Sequence, residues 1–181
     1  MKRIDQERKY WDAAALDPDV DKKYICDLPT DQCLVDLEPL MGKVLEIGCG
    51  VGRLLKDGDC GIDVSVEMLN LARKRKPKCE FKVTSGKIPY PREYFDTVFS
   101  YLVFQHLKPN TIKTYIAEAY RVLKPGGEFK FQFIEGTERE PFSNHYSINE
   151  LAKWMHDRGF DTVWHVKSNV HEQWRLMGAM K

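Results

Sequence analysis

Residues Val44-Leu45-Glu46-Ile47-Gly48-Cys49-Gly50-Val51-Gly52-Arg53 form an apolar run that breaks into three closely spaced glycines. Glycine loses more conformational freedom on ordering than any other residue, so a turn containing three of them implies a close approach to bare backbone. Lys43–Ile47 reads as a strand and Gly52–Lys56 as the start of a short helix. Asp59–Val64, "DCGIDV", reads as the next strand.

Farther along, Ser65 caps a helix over Val66–Lys76 that stops at Pro77. Cys79–Val83 alternates as a strand, and Phe95–Leu102 is an apolar strand. Asn110–Leu123 is an amphipathic helix with Ile112, Tyr115, Ile116, Ala119, Tyr120 and Leu123 on one face. Lys124-Pro125-Gly126-Gly127 ends it and leads into the strand "EFKFQFI". Ser147-Ile148-Asn149-Glu150 is a capping box for a helix to about Asp157, and Gly159 stops that helix. "FDTVWHV" and "EQWRLMGAM" close the chain as an antiparallel hairpin. Residues 1–40 read as helical in parts, broken at Asp17-Pro18 and Leu28-Pro29.

Strands alternate with helices from residue 43 to about 157. This pattern predicts a doubly wound α/β fold, a mainly parallel sheet with helices on both faces. The 181 residues fit a single domain, 1–181, with an N-terminal helical segment over 1–40 and an α/β core over 41–181. In such sheets ligands bind beyond the carboxyl ends of the strands, where the glycines lie.

The chain carries 28 basic and 27 acidic residues, for a net charge of +1. That balance gives no indication of a nucleic-acid partner. The basic run Arg73-Lys74-Arg75-Lys76 suits a helix C-terminus. The five cysteines (26, 33, 49, 60 and 79) are scattered, with no Cys-x-x-Cys pair, which argues against a disulfide framework or a zinc site. The charged N-terminus lacks a signal peptide's apolar run, and no stretch has the length of a membrane span. The expectation is a cytoplasmic protein without membrane or metal, acting as a monomer or homodimer.

The glycine spacing is G-x-G-x-G, not the dinucleotide G-x-G-x-x-G, and no Gly-Lys-Ser/Thr of a phosphate loop follows. Asp63 ends the second strand, where a carboxylate can accept both hydroxyls of a ribose; it can also cap the helix after Ser65. Glu46 sits two residues before the first glycine, where it would repel a pyrophosphate. It suits a ligand bearing positive charge, an ammonium or a sulfonium.

"VLEIGCGVGR", "GIDVSVEML", "YFDTVFSYLVFQHL" and "RVLKPGGEFKF" together resemble class I S-adenosylmethionine-dependent methyltransferases, of the UbiE-like or type 11 kind. The resemblance covers roughly residues 40–177 and implies a Rossmann-like, doubly wound, seven-stranded sheet with an antiparallel last strand. It implies S-adenosylmethionine as cofactor, S-adenosylhomocysteine as product, and an unidentified methyl acceptor, a small molecule. By that resemblance Glu46 faces the methionine end, and Gly48, Cys49 and Gly50, with Gly52, bring backbone to the ligand. Asp63 binds the ribose, Val64 packs on adenine with Met68 nearby, and Ser100 and Tyr101 lie beside the methionine moiety.

The family usually has an Asp before the adenine loop. Here Thr84 stands in that position, followed by Ser85 and Gly86, so a hydroxyl replaces the carboxylate and the Ser85 backbone reads adenine. His106, in "VFQHL", and His145 and Tyr146, in the loop after the fifth strand, are the candidate catalytic groups. Tyr10 and Trp11 either pack in the core or help residues 1–40 to lid the cofactor. The alternatives are an inactive S-adenosylmethionine-binding regulatory module, an RNA or protein methyltransferase, or an NAD(P)-dependent oxidoreductase, whose motifs are absent.

Overall fold

A computed structural model describes residues 2–17, 19–20, 30–136 and 143–181. Pro18, Leu28 and Pro29, expected to interrupt the N-terminal helices, lie outside the described residues, as does Cys26. The chain begins with α1 (Lys2–Ala15) and α2 (Thr30–Leu37). The core follows as β1 (Val44–Ile47), β2 (Cys60–Asp63), α3 (Val66–Arg75), β3 (Glu80–Val83), β4 (Phe95–Ser100) and α4 (Pro109–Val122). It closes with β5 (Leu123–Glu135), β6 (His145–Tyr146), α5 (Ile148–Arg158), β7 (Asp161–Lys167) and β8 (Trp174–Met180).

The sheet order is β3-β2-β1-β4-β5-β8-β7. β1 to β5 are parallel, and β8 slots antiparallel between β5 and β7. The expected closing hairpin and antiparallel last strand are therefore present. The short β6 pairs with the end of β5 and makes an eighth strand where seven were expected.

Central strands are buried on both faces, which explains their continuous apolar runs. Leu45, Ile47 and Val98 point to one side, where α4 and α5 bring Ile112, Ile116, Leu151 and Met155. Val44 and Phe99 point to the other, against Leu37 of α2 and Leu69 of α3. The Ser65 hydroxyl accepts the Met68 N–H at the start of α3 and Ser147 accepts the Glu150 N–H at the start of α5, as their sequences required. Gly159, at φ 104°, ends α5.

Two local expectations fail. No helix follows Gly52: residues 51–54 form turns. Gly48, Gly50 and Gly52 all take positive φ, which a right-handed helix cannot start from, and β2 begins at Cys60. Secondly, α4 ends at Val122, and Leu123 to Gly127 belong to a long β5 in which Leu123 pairs with Phe95. Lys124 precedes a proline, which disfavours helical backbone. Val122 then takes the last buried place of the helix, and Tyr120 is half-buried against Phe160.

Candidate functional site

A cavity opens at the carboxyl ends of β1, β2 and β4, where the strand order reverses direction. Glu46, Gly48, Cys49 and Gly50 form its floor. Asp63, Val64, Met68, Thr84, Tyr101 and His106 line it further.

The glycine turn is tied to β2 by Gly48 and Cys49 N–H groups donating to Ile62 O, at 2.7 and 3.0 Å. A Cβ on Gly48 would fall 2.4 Å from Val103 Cγ2, so this position must be bare for packing. Gly50 is different: a Cβ there would meet nothing within 4 Å. Its φ of 50° and the open space beside it leave backbone available to a ligand. A Cβ on Gly52 would fall 3.2 Å from Phe81 Cζ, and Gly52 packs between α3 and β3 rather than on the cavity wall.

Asp63 is buried, and its two carboxylate oxygens accept the Gly50 and Ser65 N–H groups, both at 2.9 Å. It thus fixes both the glycine turn and Ser65, the residue whose hydroxyl caps α3. Each oxygen retains a further lone pair for hydroxyl donors. Burial pushes its pKa up, although the backbone N–H groups oppose this.

Glu46 is 3% exposed, and its Oε2 has no hydrogen-bond partner among the described residues. Burial first, and the Asp63 carboxylate second, raise its pKa well above the usual glutamate value; the Arg53 guanidinium partly compensates. A buried unpaired carboxyl costs stability, so a cationic or N–H-bearing ligand in this cavity gains directly from satisfying it.

Thr84 lines the cavity, but its hydroxyl donates to Lys87 O at 2.7 Å and accepts the Gly86 N–H at 3.2 Å. One lone pair is left to contact a ligand. Ser85 and Gly86 do not reach the wall. Ser100 does not either: its hydroxyl donates to Ile47 O at 2.9 Å and ties β4 to β1. The Tyr101 ring lines the cavity while its hydroxyl donates to Asp36 Oδ2 of α2 at 3.2 Å.

Of the three candidate catalytic groups, only His106 lines the cavity. His145 and Tyr146 are held in β6 by pairing with Ile134 and Glu135 of β5. Tyr146 is fully buried and its hydroxyl donates to Leu107 O at 2.5 Å. A buried phenol needs such an acceptor, and that carbonyl lies 39 residues away in sequence.

The sequence reading missed Glu7, Arg53 and Tyr115, which line the wall together with Trp11, the residue that the sequence left between core packing and a lid. Tyr115 lies on the apolar face of α4, where cavity-facing and core-facing residues share one helical stripe. Trp11 is on the cavity, with its ring 6.4 Å from that of His106, while Tyr10 is exposed. α1 is anchored there by Asp12, which accepts the Ser65 hydroxyl at 2.6 Å, and by Arg8 Nε donating to Val64 O at 3.0 Å. Among the described residues no group of His, Cys, Asp and Glu could hold a metal ion, and no helix is long and apolar enough to cross a membrane.

Residues 45–131 match the family described as Methyltransferase domain. The chain is 35% identical over 94 residues to the demethylmenaquinone methyltransferase of Tropheryma whipplei, covering 47% of this chain and 38% of that one. It is 30% identical over 175 residues to the tRNA U34 carboxymethyltransferase of Hydrogenovibrio crunogenus, covering 80% and 52%. The chain thus spans between 38% and 52% of the length of these curated relatives. A solved methyltransferase of Haloferax volcanii, in complex with the Trm112 methyltransferase activator, superposes with a TM-score of 0.74 at 18% identity, covering 94% of this chain and 96% of that one. That likeness is one of fold.

Proposed function

We propose that this chain is a class I S-adenosylmethionine-dependent methyltransferase, as its match to the Methyltransferase domain family supports, and that it methylates a small-molecule acceptor in the cavity beside Glu46. The observation that carries this reading is the pairing, in one cavity, of Glu46 with an orphaned buried Oε2 and Asp63 with lone pairs to spare. Those groups fit the two ends of S-adenosylmethionine: a cationic amino-acid end for Glu46 and a ribose diol for Asp63. A pyrophosphate, which a nicotinamide dinucleotide requires, would meet the Glu46 carboxyl instead.

When bound, S-adenosylmethionine supplies a sulfonium methyl that a lone pair on the acceptor takes, the electrons of the C–S bond remaining on sulfur as the thioether of S-adenosylhomocysteine. The protein's own part is alignment, which is worth about 7–11 kcal/mol in well-oriented reactions. The bare Gly50 backbone, Asp63 and Glu46 hold the donor from one side. Val64 and Met68 pack beside its base, and Tyr101 closes the β4 end. In this reading α1 serves as the lid: Glu7 and Trp11 line the cavity, and keeping water from the donor suits a small acceptor.

The test is release of S-adenosylhomocysteine from S-adenosylmethionine across a panel of small amines, phenols, thiols and carboxylates, with total tRNA as a separate arm. Turnover on a small molecule that falls in Asp63→Asn supports the reading. Turnover on tRNA alone transfers the activity to RNA, and cofactor binding without turnover on any arm leaves a regulatory binding module.

A further inference from the structure

Gln132 is an odd residue for its place. It lies in the centre of β5 among Phe129, Phe131 and Phe133, and it is fully buried. A buried amide there must be satisfied at both ends, and its partners lead to the cavity. Its Oε1 accepts the Leu102 N–H at 3.1 Å. A backbone N–H is a donor without ambiguity, so the orientation of this amide is fixed. Its Nε2 therefore donates, to Gln105 Oε1 at 3.1 Å. That fixes the second amide in turn and leaves Gln105 Nε2 facing His106 Nε2 at 3.3 Å.

An amide nitrogen only donates, so His106 Nε2 must accept and the ring proton must sit on Nδ1. We infer that the Gln132–Gln105 amide relay sets the tautomer of His106, placing the ring proton on Nδ1 and committing Nε2 to the Gln105 amide so that it is not a base. Gln132 and Gln105 are positioning residues that act through His106. The relay is braced at both ends. Leu102, whose N–H starts it, is held at φ 62°, a conformation costly for a non-glycine residue and kept only under constraint. The Gln105 carbonyl accepts the Asn144 N–H at 2.6 Å, which pins the loop before β6 onto the same residue.

The functional part of this inference rests on the methyltransferase reading. To serve as a base, Nε2 would have to gain a proton facing the Gln105 NH₂ group, two donors head to head.

The experiment is long-range proton–nitrogen NMR on protein labelled with ¹⁵N-histidine, at about pH 8.5, two units above the ordinary imidazole value of ~6.5. The His106 signal is assigned by its loss in His106→Gln. The expected spectrum has Nε2 as the pyridine-type and Nδ1 as the pyrrole-type nitrogen. Gln105→Glu replaces the donor with a carboxylate and is expected to move the proton to Nε2 or to charge the ring. Gln132→Leu releases the Gln105 amide and is expected to give averaged nitrogen shifts. A wild-type ring with the proton on Nε2, or a Gln105→Glu ring unchanged from wild type, overturns the inference. If Gln132→Leu does not fold, those two results decide it alone. Addition of S-adenosylhomocysteine separates the two ideas. Shifts at His106 support the cofactor reading, whereas an unmoved Nδ1–H ring defeats that reading and leaves the tautomer assignment standing.

Discussion

Glu46→Gln should stabilise the empty protein and weaken cofactor binding, two effects of opposite sign from one atom change. The Glu46 side chain is almost fully buried and Oε2 lacks a hydrogen-bond partner among the described residues. An unsatisfied buried polar group costs about 1–3 kcal/mol, and removing its ionisable character recovers part of that, about 1 kcal/mol. For a chain of this length each kcal/mol raises Tm by about 2–4 °C. The pH dependence fixes the cause. The pKa of Glu46 is raised in the folded state, so the folded form holds its proton longer than the unfolded form does. Stability from this group is fully present below the ordinary value of 4.5 and is lost as pH rises through the raised folded value. The variant's advantage should therefore grow as pH rises from 4.5 to the raised folded value and level off above it. Asp63 has a raised pKa in both proteins, and its contribution largely cancels in the difference.

Binding should move the other way. A hydrogen bond to a charged group is worth about 1.5–3 kcal/mol, so the dissociation constants of S-adenosylmethionine and S-adenosylhomocysteine should rise by about 10- to 150-fold. Scanning calorimetry from pH 5 to 9 and calorimetric titration of both ligands read the two effects. A less stable empty variant, or one that binds both ligands as well as wild type, refutes the assignment of Glu46 to the ligand's cationic end.

Gly48→Ala and Gly50→Ala should separate fold from site. The first places Cβ 2.4 Å from Val103 at a positive φ and should cost about 2–4 kcal/mol in urea unfolding. The second meets nothing within 4 Å, so it should cost only the ~1–2 kcal/mol of its left-handed backbone while its methyl group blocks the ligand. The reverse ranking in unfolding would remove Gly50 from the binding surface. Asp36→Ala strands the Tyr101 and Ser168 hydroxyls and the Asn169 N–H, all of which donate to that carboxylate. A loss of about 3 kcal/mol, or ~6–12 °C in Tm, is expected, and a change under ~1 kcal/mol would contradict the account of how α2 is anchored. Trp11→Ala should weaken S-adenosylhomocysteine binding about tenfold while leaving urea stability within ~1 kcal/mol, because Trp11 covers the cavity from α1 outside the main sheet core. Unchanged affinity would show that α1 is not a lid.

The parts of this molecule legible in its sequence are those governed by neighbours a few residues apart. The run Val44–Ile47 declared a buried strand, Ser65 and Ser147 declared their helices through hydroxyls three residues from the N–H groups they cap, and Glu46 and Asp63 declared the site by their places at strand ends. The missed features depend on distant partners. Asp12 meets Ser65 across 53 positions, so the sequence could not decide whether Trp11 packs in the core or, as the structure has it, on the cavity wall. The phenol of Tyr146 looked available in a loop and is instead committed to the Leu107 carbonyl. β5 carries Lys130 in its centre, yet this residue is buried, its ammonium donating to the Leu37 and Pro39 carbonyls at the end of α2. The short helix expected after Gly52 failed for a local reason, since three successive positive-φ glycines are incompatible with it.

The most direct test of the central claim is calorimetric titration of wild type and Asp63→Asn with S-adenosylmethionine, S-adenosylhomocysteine and NAD, with circular dichroism to establish that the variant is folded. The account predicts one-to-one binding of the first two to wild type, no binding of NAD, and at least tenfold weaker binding in the folded variant, or ~1.4 kcal/mol for the lost ribose contact. Binding of NAD alone, or equal affinity of both proteins for S-adenosylhomocysteine, would contradict it.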